Sequence, residues 1–223
     1  MEIIPSIDIK DGICVRLFQG DFTKETEYHK NPLAIARKFE DMGFTYLHLV
    51  DLDGAQSGRQ TNQTVVQGIA AETEFVIQLG GGLRNGSDIS SWLDAGVNRC
   101  VVGSIAVKDP DRMKGWLTKY GGDNLVLALD VRLRNGIPQL ATDGWTEDSN
   151  ISLWNAVDKY LGTGLKHVLC TDISRDGSMA GPNIELYSEF TRRYPDIALQ
   201  ASGGVRDVQD LARLLFRYRT FRE

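Results

Sequence analysis

Hydrophobic positions fall into two alternating kinds of stretch. Short runs at 2–9, 46–51, 75–79, 99–102, 125–131, 166–171 and 197–201 have the length and apolar content of parallel strands covered by helices. Between them, apolar residues recur three and four apart. Ile35, Phe39 and Met42 follow a cap at Asn31-Pro32 and stop at Gly43. Residues 61–71 form a second, less clearly amphipathic helix. Ile89, Trp92 and Leu93 lie between Ser87 and Gly96, and Met113, Trp116, Leu117 and Tyr120 run from Asp109-Pro110 to Gly121. Beyond residue 125 the order continues with helices at 153–161, from the cap Asn183 to about Tyr194-Pro195, and from Asp207. Seven strand-then-helix units predict an α/β fold with a parallel sheet. After the first and fifth strands, Asp11-Gly12 and Asn135-Gly136 predict short hairpin strands at 13–17 and 137–140, in long loops that read as lids.

The chain also repeats itself. Ile7-Asp8-Ile9 returns as Leu129-Asp130-Val131, Leu49-Val50-Asp51-Leu52 as Cys170-Thr171-Asp172-Ile173, and Gly81-Gly82-Leu83-Arg84 as Gly203-Gly204-Val205-Arg206, at offsets of 121 or 122 residues. Two similar halves, about 1–122 and 123–211, imply a single (β/α)8 TIM barrel built from two half-barrels. The eighth βα unit is missing or replaced: 213–223 has neither a glycine turn nor a β-branched run, so 212–223 reads as an atypical tail. Open edges are then expected on the first and seventh strands. The expectation is a monomer, unless the open edge recruits another chain.

Composition narrows the classes. A net charge of −5 without a basic stripe before the last eleven residues argues against nucleic acid. No targeting segment or membrane-length apolar run is visible, so a soluble cytoplasmic protein is expected. Cys14, Cys100 and Cys170 are too few and scattered for a disulfide framework or zinc site, and read as buried thiols. His29, His48 and His167 share no metal-ligand spacing, and no metal is expected.

The chemistry concentrates at strand ends. Asp8 and Asp130 end the first and fifth strands, on the rim where barrel enzymes work. There one carboxyl can give a proton and the other take one if their surroundings separate their pKa values. Gly81, Gly82, Gly103 and Ser104 offer backbone N–H groups to an anion, and Gly203 and Gly204 repeat the first part. Twin cradles fit a substrate phosphorylated at both ends. Arg84 stands beside the first cluster, placed for a phosphate or an aspartate or as a surface charge. Thr171, Asp172, Asp176 and Gly177, like Asp51, Asp53 and Gly54, either orient sugar hydroxyls or organise loops. Trp145 reads as an exposed aromatic that stacks on a base or packs its own loop.

The runs 4–9, 16–21, 50–55, 78–84, 102–104, 128–130 and 171–177 closely resemble the phosphoribosylformimino-5-aminoimidazole carboxamide ribotide isomerase family of histidine biosynthesis. The resemblance runs from Met1 to about Leu211. It implies an Amadori rearrangement of a bisphosphorylated aminoaldose to its aminoketose, without metal or cofactor. Asp130 would be the general acid, Asp8 would remove the C2 proton, Thr171 and Asp176 would position the sugar, and the six rim residues Gly81, Gly82, Gly103, Ser104, Gly203 and Gly204 would bind the phosphates. The family's eighth strand and its glycine turn have no counterpart after Leu211. Two alternatives are the related cyclase subunit of imidazole glycerol phosphate synthase, and a catalytically inactive barrel that binds phosphate ligands. The runs at 19–21 and 53–55 resemble the isomerase better than the cyclase.

Overall fold

The computed structural model describes every residue except Gln19, Asp143, Thr146 and 220–223, and only the backbone of Asp148, Arg217, Tyr218 and Arg219. Gln19 of the 16–21 motif and the end of the tail therefore lie outside the described residues. The chain divides into two compact units.

The first unit, Met1–Leu17 with Phe22–Val102, runs β1 (Ser6–Lys10), β2 (Ile13–Phe18), β3 (Asp21–His29), α1 (Pro32–Asp41), β4 (Tyr46–Asp51), α2 (Leu52–Ser57), α3 (Gln63–Glu72), β5 (Val76–Gly80), α4 (Gly86–Asp94) and β6 (Arg99–Val102). Its strand order is β6-β5-β4-β1-β2-β3, with β1, β4, β5 and β6 parallel. Ile7, Ile9, Leu47, Leu49, Ile77 and Leu79 are buried from the strands, and Val66, Ile69 and Ile89 from the helices. Burying each such side chain contributes about 1.5–3 kcal/mol. Asn31 accepts the Ala34 N–H at 3.2 Å and Pro32 opens the turn, so α1 starts where the sequence placed it.

The second unit, Phe18–Asp21 with Gly103–Glu223, runs α5 (Ser104–Lys108), α6 (Pro110–Tyr120), β7 (Leu125–Arg134), β8 (Ile137–Thr142), β9 (Glu147–Ser152), α7 (Leu153–Asp158), β10 (His167–Asp172), α8 (Ile184–Arg193), β11 (Ala198–Ser202) and α9 (Val208–Arg219). Here β7, β10 and β11 are parallel, and β8 and β9 fold back antiparallel from β7. Leu125, Leu127, Leu129, Val168 and Cys170 are buried from the strands, and Met113, Leu153 and Phe190 from the helices. The fold is mixed α/β, each unit carrying the parallel strand-and-helix pattern of a TIM-type half-barrel.

Several expectations need correction. The lid-like loops are longer ribbons, because β3 and β9 add a strand to each predicted hairpin. Both are mostly polar, so periodicity gave them no signal. The short helices α2 and α5 were also unmarked. The end of β1 is not an open edge, since β2 covers it with Asp8, Ile9 and Lys10 opposite Val15, Cys14 and Ile13. Residues 213–219 lie in α9, and among the described residues no eighth parallel strand follows β11. No helix among the described residues is long and apolar enough to cross a membrane.

Candidate active site

In the first unit Asp8 sits near the C-terminal end of β1, with Ile7 and Ile9 on either side buried in the core. Its carboxylate accepts a long hydrogen bond from Ser6 Oγ at 3.4 Å and stands 3.6 Å from the Arg16 guanidinium on β2. Arg16 is half-exposed, whereas the Asp8 side chain is 15% exposed.

The glycine turn after β5 is shaped by a close approach. A Cβ on Gly81 would lie 2.1 Å from the Asp51 carbonyl oxygen, and one on Gly82 would lie 2.7 Å from that of Gly54. The Gly81 carbonyl accepts Gln60 Nε2 at 3.0 Å, and Trp92 Nε1 holds the other end of that amide at 2.8 Å. Asp51 is fully buried and takes the N–H groups of Gly54, Thr61 and Asn62 as well as Asn62 Nδ2, so it organises the loop. Arg84 is exposed. Its backbone N–H goes to Asp88 at 3.0 Å, while its guanidinium lies over Gly58 and has no carboxylate partner among the described residues.

The second unit repeats this plan. A Cβ on Gly203 would come 2.8 Å from the Asp172 carbonyl oxygen, and one on Gly204 would come 2.4 Å from that of Gly181. Tyr187 donates its hydroxyl to the Ser202 carbonyl and fixes the strand end before the turn. Asp172, 1% exposed, is held by Ser174 and Asn183 and again serves the loop. Gly177 has a φ of 68°, which lets the chain turn back beyond Asp176. Gly103 is different: a Cβ there would meet only Ala128, at 3.8 Å, so no packing demand within its unit requires glycine. Ser104 follows it as the first residue of α5.

Asp130 is a perturbed carboxyl. Burial pushes its pKa up, hydrogen bonds from Trp145 and Thr171 pull it down less strongly, and the charge of Asp176 adds a further push upward. Trp145 Nε1 donates to Asp130 Oδ2 at 2.8 Å, and Arg132 holds the Trp145 carbonyl at 2.7 Å. A Cβ on Gly20 would lie 2.6 Å from the Trp145 ring, so glycine is what allows the chain to pass beneath it. Trp145 is therefore half-buried and bound to the acid, not the exposed aromatic that its polar loop suggested. Thr171, 6% exposed, lies beside Asp130 in the β10–β7 register.

Within each unit the structure gathers the expected groups: Asp8 in the first, and Asp130, Trp145, Thr171 and Asp176 in the second. Sequence reasoning missed Gln60, Trp92 and Tyr187, which hold the glycine turns, and Asn62. Only Asn62 left a trace, since Asp51 and Asn62 return at the same spacing as Asp172 and Asn183. The remaining unusual groups are structural. His48, hydrogen-bonded to Gln78 at 3.2 Å, has its pKa pushed down to about 4 by burial, and the thiols of Cys14 and Cys100 are pushed up to about 11 and about 12.

A strand-end carboxyl stands at matching places in both units, each followed by a loop-organising aspartate and a glycine turn. The family model described as histidine biosynthesis protein matches residues 2–220, and the chain belongs to that family, whose barrel enzymes include the isomerase and the cyclase.

Proposed function

We propose that the protein is the isomerase, catalysing the Amadori rearrangement of a bisphosphorylated aminoimidazole carboxamide ribotide. The observation that carries the acid–base reading is Asp130, buried and taking the Trp145 Nε1–H at 2.8 Å, with its pKa raised in the direction a general acid needs, and the runs at 19–21 and 53–55 favour the isomerase over the cyclase. Asp130 gives its proton to the ribose ring oxygen as the C1–O bond breaks, leaving an open-chain iminium. Asp8 takes the C2 proton, the electron pair moves to form an enolamine, and protonation at C1 with loss of the hydroxyl proton yields the ketone. Trp145, released from Asp130, stacks on the base, while Thr171 and Asp176 orient the sugar.

The phosphates bind at the glycine turns, Gly81 and Gly82 with Gly103 and Ser104 at one end, Gly203 and Gly204 at the other. Gly103 fits this assignment in that a Cβ there would meet only Ala128, at 3.8 Å, so its backbone is open to an anion. Arg84, exposed and without a carboxylate partner among the described residues, supplies positive charge to the first site.

The test mixes purified protein with the aminoaldose and follows the product's absorbance. Turnover without ammonia or a glutaminase is expected. Cyclisation only when ammonia is added would assign the cyclase, and binding without turnover would assign an inactive ligand-binding barrel.

A further inference from the structure

The two β-ribbons that follow the strand-end aspartates turn in the same way but are held differently. Asp11 and Gly12 have φ values of 50° and 79°, and Asn135 and Gly136 have 52° and 78°, as two-residue hairpin turns of right-handed ribbons require. In the first ribbon both turn amides leave the hairpin. Asp11 N–H donates to Asp53 Oδ2 at 2.7 Å and Gly12 N–H to Asn62 Oδ1 at 2.9 Å. Asn62 Nδ2 then bridges Asp51 at 2.7 Å and Asp53 at 2.8 Å.

This is an unusual use of Asn62. It occupies the N-cap of α3, is 5% exposed, and makes no capping hydrogen bond to that helix. Its counterpart Asn183 behaves ordinarily, accepting the Leu186 N–H at 3.1 Å as the cap of α8 while donating to Asp172. Ser174, at the place of Asp53, turns its hydroxyl to Asp172. Among the described residues, the Asn135-Gly136 turn therefore has no tether of this kind.

We propose that Asn62, with Asp53, is a positioning residue that clamps the β1–β2 ribbon and so keeps Arg16 against Asp8. The geometry runs in one line: the clamp fixes the turn, the turn fixes β2, and β2 places the Arg16 guanidinium 3.6 Å from the Asp8 carboxylate. Neither Asn62 nor Asp53 touches the reacting atoms. The inference rests on the isomerase reading only in assigning Asp8 a proton-transfer role.

The experiment compares Asn62→Leu with wild type, and Asp53→Ala serves as a second variant because its partly exposed site tolerates truncation. In both, kcat should fall about tenfold while KM for the aminoaldose stays within about threefold, since the phosphates bind elsewhere. By NMR the Gly12 amide should exchange at least about tenfold faster, the Gly136 amide should not change, and the Arg16 Nε–H signal should move. A general loss of stability would not separate Gly12 from Gly136, nor kcat from KM. If the Gly12 amide keeps its protection in both variants, or exchanges faster while kcat and the Arg16 signal stay put, the clamp is overturned. Should the wild-type protein fail to turn over the aminoaldose, the isomerase reading falls by itself, and the two NMR signals still decide whether the clamp places Arg16.

Discussion

Arg84 and Arg206 follow the glycine turns of the two units, and each has an aspartate four residues later, Asp88 or Asp210, that accepts its backbone N–H. Beyond that they part. The Arg206 guanidinium bonds Asp210 at 2.9 and 2.8 Å, whereas that of Arg84 turns away and lies over Gly58. The place of Gly58 is taken in the second unit by Met179. Both have positive φ, 73° and 52°, but only glycine leaves room for a guanidinium to settle on the backbone. A duplicated framework thus puts the same residue to opposite uses, and the difference traces to one missing Cβ. Asn62 and Asn183 make the same point, one reaching to a distant ribbon and the other capping its own helix.

The largest expected effect falls on the paired carboxyls. Asp130→Asn and Asp8→Asn should each lower kcat by about a thousandfold or more, with substrate still bound through its phosphates. Near-normal kcat in either would remove its assigned role. Asp130→Asn should also raise the melting temperature at pH 7. A carboxyl whose folded pKa is raised contributes its full stability below the unfolded value and loses it as pH rises through the folded value. Asparagine cannot ionise, so the gain should be present at neutral pH and vanish below about pH 3, where the wild-type carboxyl is protonated in both states. Melting curves at several pH values check the sign.

The two arginines come next. Arg84→Ala should lower kcat/KM by about a hundredfold with little change in melting temperature. Arg206→Ala should lower stability more at neutral pH than in acid. The Arg206 guanidinium holds the Asp210 carboxyl down to about 2, so the stability it confers is present above the ordinary aspartate range and lost as pH falls from about 4 towards 2. Gly58→Ala breaks the comparison most directly. The added Cβ would sit 2.2 Å from the Arg84 Cζ, forcing the guanidinium off that surface, and kcat/KM should fall about tenfold. If it did not, the resting place of Arg84 would have no bearing on activity.

Much of this was legible in the sequence because it follows from periodic burial. Six of the seven parallel strands start within one residue of runs such as 46–51 and 125–131, while the first, read at 2–9, begins only at Ser6; Asn31-Pro32 and Asn183 marked their helices as caps. The strands β3 and β9 were not legible, since exposed ribbons carry polar residues on both faces and their pairing is decided by the partner strand. The glycine turns announced themselves, but their cause did not. Gly81 and Gly203 meet carbonyl oxygens about 30 residues earlier, a contact that only the fold creates. The hydrogen bond from Trp145 to Asp130 was equally hidden, because the residues around Trp145 are polar and suggested an exposed ring.

That bond gives a smaller and sharper effect. Trp145 Nε1–H favours the ionised form of Asp130, so Trp145→Phe should push the carboxyl's pKa further up. The alkaline limb of the kcat/KM profile, which reports the free enzyme, should then move to higher pH, even as kcat itself drops several-fold for want of the indole. A limb that stays in place would mean that the general acid is a different group.

The smallest effect concerns the two outer strands. β3 carries Lys24, Glu25 and Glu27, all exposed, which is how natural edges discourage pairing with other chains. β11, last in the order of its unit, reads Ala198-Leu199-Gln200-Ala201-Ser202 with no charge, and both alanines are exposed. A charge at the far end of β11 from its glycine turn should supply the missing guard, because a lysine in an incoming sheet contact must be desolvated. Ala198→Lys should therefore leave turnover within about twofold and reduce concentration-dependent light scattering, whereas the same substitution at Tyr28, on the already guarded β3, should change neither. Equal scattering from wild type and Ala198→Lys would show that the β11 edge does not drive association.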